Sequence, residues 1–294
     1  MPTTKPDIKA LVAQMPDSDK PGQTSTFTGP TPGAAEEIYA AILAGGRDSL
    51  VGLIAMLRDP GDPEYKDFRP EYVLHGLAIY VGRPDKKKQR KLFAQTLASQ
   101  LGNKKVPKGV QGYLIRELQV AGGDEAVKAL GKMLADEDLC AYAASALVAI
   151  GDGAARQLRG ALGKAKGRCR VTIVQNLGVV RDSWSVRALR KCLTDPDVDV
   201  RLAAAWALAR IGDAGSVNLI LKAADVEPGW ERIKATQACL VLAENLSAAG
   251  KLRDAMKIYT HLRDTRTDPK ENYIREPAEH NADAGRAILQ TGMM

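Results

Sequence analysis

A chain of 294 residues that is 45% hydrophobic, 26% charged and 5% aromatic has the composition of a globular protein with a sizeable core, which excludes a wholly disordered or collagen-like chain. Four cysteines are too few for a disulfide scaffold, and no run of about 18 apolar residues is present to span a membrane. The net charge of +7 is local: residues 83–108 hold nine basic residues against one acid, Asp85, so the rest of the chain sums to −1.

Residues 1–33 are expected to form a flexible leader. Six of the fifteen prolines (Pro2, Pro6, Pro16, Pro21, Pro30 and Pro32) fall here among Asp, Ser, Thr and Gly, and the few apolar side chains cannot offset the entropy of ordering them. At most one or two helical turns are expected over 8–15. The first fifteen residues are polar and proline-broken, unlike a secretory signal, and a cytoplasmic location is the expectation.

From residue 34 to 294 the pattern is helical and repetitive. One motif occurs three times, as CAYAASALVAIGD at 140–152, RVTIVQNLGVVRD at 170–182 and RLAAAWALARIGD at 201–213. Arg170, Arg201 and Arg232 are each 31 residues apart, and a fixed period of that size marks a solenoid of stacked units. The best-defined period reads as a helix over 183–193, a turn containing Pro196, and a second helix over 200–211. Asp197 or Asp199 serves as its N-cap, and Gly212 stops it. No segment alternates with period two, so no sheet is expected.

The string DPDVDVRLAAAWALARIGD at 195–213 resembles a HEAT repeat, in particular the short form of about 30 residues found in bacterial and phycobilisome-lyase-like proteins. The resemblance is clearest over 124–245, with atypical capping repeats at 34–123 and 246–294, and residues 242–262 also resemble a tetratricopeptide-type hairpin. It implies an all-α, right-handed α-solenoid of antiparallel helix pairs, armadillo-like in class, with second helices lining a concave face. It further implies that Arg170, Arg201 and Arg232 form a structural ladder, with Asp152, Asp182 and Asp213 as available acceptors. In the last segment Pro277 is expected to kink a helix or start a new one.

Setting the Gly-Asp ends of the repeats in register separates core from surface. The column Leu118, Leu147, Leu177, Leu208 is uniformly apolar, whereas the neighbouring columns mix Tyr, Trp, Arg, Gln and Lys, a composition typical of interfaces. Tyr113, Arg116, Tyr142, Gln175, Trp206, Arg210, Lys234 and Gln237 are therefore expected to line a partner-binding groove. Lys86, Lys87, Lys88, Arg90, Lys91, Lys104 and Lys105 form a basic patch suited to an acidic partner, nucleic acid included.

Signs of chemistry are sparse. Cys140, Cys169, Cys192 and Cys239 show no zinc-knuckle spacing. Cys140 and Cys169 begin second helices of adjacent repeats and are close enough to consider as a pair, although reduced thiols are expected in a cytosolic protein. The three histidines include His75, which reads as a packed or partly exposed side chain. No nucleophile elbow, P-loop or dinucleotide fingerprint occurs, and neither a cofactor nor a metal is expected. The leading expectation is a monomeric, non-enzymatic scaffold that binds a protein or peptide on the concave face, away from membranes. Two alternatives stand beside it: nucleic-acid binding of the HEAT-like DNA glycosylase type through the basic patch, and a tetrapyrrole lyase or chaperone-like role by repeat-type analogy.

Overall fold

The computed structural model describes residues 6–15, 30–63 and 68–291. Sixteen α-helices occupy them and no strand does: α1 (Ile8–Val12), α2 (Pro32–Ala44), α3 (Gly46–Ile54), α4 (Arg69–Val81), α5 (Lys87–Gln100), α6 (Lys108–Ala121), α7 (Asp124–Met133), α8 (Cys140–Ile150), α9 (Ala154–Leu162), α10 (Gly167–Val179), α11 (Val186–Cys192), α12 (Val198–Ile211), α13 (Val217–Ala224), α14 (Trp230–Ala248), α15 (Leu252–Thr265) and α16 (Asn272–Thr291). Residues 1–5 and 16–29 of the expected flexible leader lie outside the described residues. Its segment 7–15 is held instead of free: Asp7 Oδ1 accepts from the Ala10 amide at 3.2 Å, and Val12 and Met15 are buried.

The local rules read from the sequence account for the helix ends. The Asp197 side chain accepts from the Asp199 amide at 2.9 Å and caps α12. Gly212 ends the same helix at φ 76°, a left-handed conformation that costs a residue without Cβ little. The first helix of that hairpin is shorter than expected, because residues 183–185 form a 3-10 turn before α11 begins. Pro277 does not break α16: as the sixth residue of Asn272–Thr291 it forfeits the bond its own nitrogen would make, and buried Ile274, Ala278 and Ala282 hold the helix.

The chain divides into two compact units, Met1–Gln157 and Leu158–Met294. In the first, α2, α4, α6 and α8 pack on one another in sequence, α3, α5 and α7 form a parallel row, and α1 lies on α2, α3 and α4. In the second, α10, α12 and α14 form the main row, α11 and α13 back it, α15 packs on α13 and α14, and α16 packs on α15. Leu118 and Leu147 in the first unit, and Leu177, Leu208 and Cys239 in the second, are fully buried, as the core column requires. Each buried leucine contributes about 1.5–3 kcal/mol of transfer free energy.

Polar groups stitch the second unit. Arg170 donates to Asp195 at 2.9 Å and to the Leu162 carbonyl at 2.8 Å. Arg201 reaches Glu231 at 2.6 Å and the Asp195 carbonyl at 3.0 Å, and Arg232 reaches Glu271 at 2.8 Å and the Val226 carbonyl at 3.2 Å. The guanidinium fork thus holds the turn before its own helix and a carboxylate further along the chain. The expected acceptors are corrected. Asp182 is taken by Arg159 of α9 and Asp213 by Arg190 of α11, and Asp152 is exposed.

Arg266 is 0% exposed. Its guanidinium donates to the Ala224 carbonyl at 3.0 Å, to Thr236 Oγ1 at 3.2 Å, to Thr265 Oγ1 at 2.8 Å and to Asp225 at 3.3 Å. Removing it strands a buried carbonyl and hydroxyl and leaves a cavity. Arg266→Ala should lower the unfolding free energy by about 3 kcal/mol or more in urea melts of the full chain.

Candidate functional site

The row α10–α12–α14 presents one face of each helix to a groove of about 1030 Å³. Its wall is built at three- and four-residue spacing: Gln175 and Val179 on α10, Ala203 and Trp206 on α12, and Trp230, Lys234, Gln237 and Val241 on α14. Trp206 is half-buried, and Trp230 is 55% exposed at the first turn of α14. Asp199 and Lys234 are the charged residues among the lining side chains, so the groove is apolar and amide-lined with near-balanced charge.

A close helix approach seats Trp206. A Cβ added at Gly178 would stand 2.6 Å from the Ala207 Cα and 3.0 Å from Trp206 Cζ3, so α10 and α12 meet there only because both present small residues. The Arg210 guanidinium lies 5.5 Å from the Trp206 ring centroid, and its buried Nε has no hydrogen bond to a described residue. Asn245 ties α14 to the end of α12 through the Ala209 carbonyl at 2.8 Å.

The eight residues expected in one groove fall in both units. Gln175, Trp206, Lys234 and Gln237 line the groove of the second unit, and Arg210 stacks on Trp206 without being a lining residue. Tyr113, Arg116 and Tyr142 belong to the first unit. There the Tyr113 hydroxyl donates to the Glu71 carbonyl at 2.9 Å, Arg116 is exposed, and Tyr142 is 46% exposed over Gly112. Sequence reasoning missed two features. Trp230 stands one 31-residue period after Asp199, so extending the groove face by one helical turn would have found it. His75 is paired with Glu117, whose oxygens lie 3.0 and 3.2 Å from Nδ1.

Burial pushes the Glu117 carboxyl above the usual carboxylate range, and hydrogen bonding to His75 opposes that shift. Burial also raises the Tyr113 hydroxyl and pushes the Cys239 thiol up to about 12. Cys192 and Cys239 are free and buried, whereas Cys140 and Cys169 are not free thiols, which corrects the expectation of reduced thiols there.

The basic patch is partly structural. Arg90 donates to the Gly122 carbonyl at 2.9 Å and to Glu125 at 3.1 Å, joining the end of α6 to the start of α7. Lys86 pairs with Asp85 at 3.0 Å and lies over the Tyr80 ring. Lys87, Lys88, Lys91, Lys104 and Lys105 are exposed.

Two outcomes follow from these contacts. Gly178→Ala should cost about 1–3 kcal/mol in urea melts, because backbone and not a flexible side-chain tip must yield at α12. Glu117 binds its proton more tightly in the native state, so its contribution to stability is complete below the ordinary carboxylate pKa. That contribution is lost as pH rises through the raised native value. Glu117→Gln should therefore gain stability relative to wild type as urea melts are run from about pH 4 to pH 7, and a constant difference would contradict the assignment.

A family model described as HEAT repeats matches residues 157–240. No curated protein matches the chain. Human deoxyhypusine hydroxylase in complex with glycerol is 16% identical, covers 82% of this chain and 97% of its own, and has a TM-score of 0.33. An engineered protein is 22% identical over 80% of this chain and 97% of its own, with a TM-score of 0.30. One of these structures is named as an enzyme, so the expectation of a chain without enzymatic activity is withdrawn. At these TM-scores neither likeness assigns an activity. Among the described residues no helix is long and apolar enough to cross a membrane. The 31-residue period and the paired helices agree with the match of residues 157–240 to HEAT repeats.

Proposed function

We propose that the α10–α12–α14 groove binds a segment of a partner protein. The supporting observation is the pair of tryptophans, Trp206 half-buried and Trp230 55% exposed, set among Gln175 and Gln237 in a groove of near-balanced charge. Large amphipathic rings beside adaptable amides are the chemistry of interface hot spots. A nucleic-acid strand would need a row of cations along this wall, whose lining holds Lys234 against Asp199 as its charged residues.

Panning a random peptide library over the full chain tests the reading. Recovered peptides should bind wild type and lose tenfold or more in affinity on Trp206→Ala and on Trp230→Ala, with the urea midpoint of the exposed Trp230 variant little changed. Peptides that bind both variants as tightly as wild type would place recognition elsewhere.

A further inference from the structure

A cavity of about 490 Å³ lies in the first unit, lined by His75 of α4, by Tyr113, Arg116, Glu117, Gln119 and Val120 of α6, and by Ala149 of α8. That volume falls in the range of small-molecule sites, roughly 300–1,000 Å³. Glu117 is 3% exposed beneath it and takes the Nδ1 side of His75 with both carboxylate oxygens. The imidazole is thereby fixed with its Nε2 edge turned from Glu117, and its side chain remains 52% exposed.

The arrangement costs the fold something, because a carboxylate is desolvated to orient a ring that is itself half in solvent. Next to Glu117 in sequence, the exposed Arg116 makes no hydrogen bond or ion pair with a described residue. Tyr113 is spoken for by the Glu71 carbonyl. The cavity therefore offers the Arg116 guanidinium and the Nε2 edge of His75, with Gln119 also in its lining, and the apolar side chains of Val120, which is 51% exposed, and Ala149.

We propose that His75 and Arg116 bind the carboxylate of an amphipathic small-molecule acid, while Val120 and Ala149 take its apolar chain. The acid's own proton passes to His75 Nε2, which then donates to the ligand carboxylate beside Arg116 while Glu117 keeps the Nδ1–H. An alcohol of the same length offers no anion to the two donors, and a short acid such as acetate leaves the apolar side chains uncovered.

The test is calorimetric titration of the full chain with octanoate, acetate, octanol and octyl phosphate. Octanoate should bind saturably, and the other three should each bind at least tenfold more weakly. Arg116→Gln and His75→Gln should each weaken octanoate at least tenfold, and the exposed Arg116 variant should keep the wild-type urea midpoint. Absence of saturable octanoate binding, or wild-type affinity in Arg116→Gln, would overturn the site. Tighter binding of octyl phosphate would overturn the choice of headgroup.

Discussion

The second unit depends on how closely α10 and α12 approach. Gly178 on one helix faces Ala207 on the other, and the space a methyl group would need is taken by backbone. Such contact lets small side chains fill the seam at native density without voids. It also fixes the height at which Trp206 stands. The ring rests on glycine at its base and on the Arg210 guanidinium at its side, so it is pushed toward the groove and not folded into the core.

A second set of constraints runs along the turns. Apolar burial holds each hairpin, but it is non-directional and would tolerate some sliding of one hairpin on the next. The arginine forks remove that freedom, since Arg201 must meet both the Asp195 carbonyl and Glu231. Arg266 does the same at the far end from a fully buried position, where every donor it carries must find a partner.

Much of the architecture was legible in the sequence because it is written in local terms. The 31-residue spacing of Arg170, Arg201 and Arg232, the cap at Asp197, the stop at Gly212 and the leucine column each depend on residues within one helix or one turn. Gln175, Trp206, Lys234 and Gln237, read from the same columns, line one groove of the second unit. What escaped is set by distant partners. His75 and Glu117 are 42 residues apart, and nothing in either neighbourhood announces the other. Arg90 looked like one more cation in a basic run, yet it spends its charge on Gly122 and Glu125. The ladder arginines meet other acids than expected, because Arg159 and Arg190 take Asp182 and Asp213.

The rungs of that ladder are unequal in one respect. Arg170 finds its carboxylate 25 residues ahead, Arg201 finds its own 30 ahead, and Arg232 reaches 39. The hairpins are therefore not interchangeable cassettes, despite their common ancestry in pattern. A copy inserted by duplication, or two neighbours exchanged, would keep its helices and its apolar stripe while its guanidinium met the wrong stretch of chain. Such a copy would keep its apolar packing and lose its charged rung.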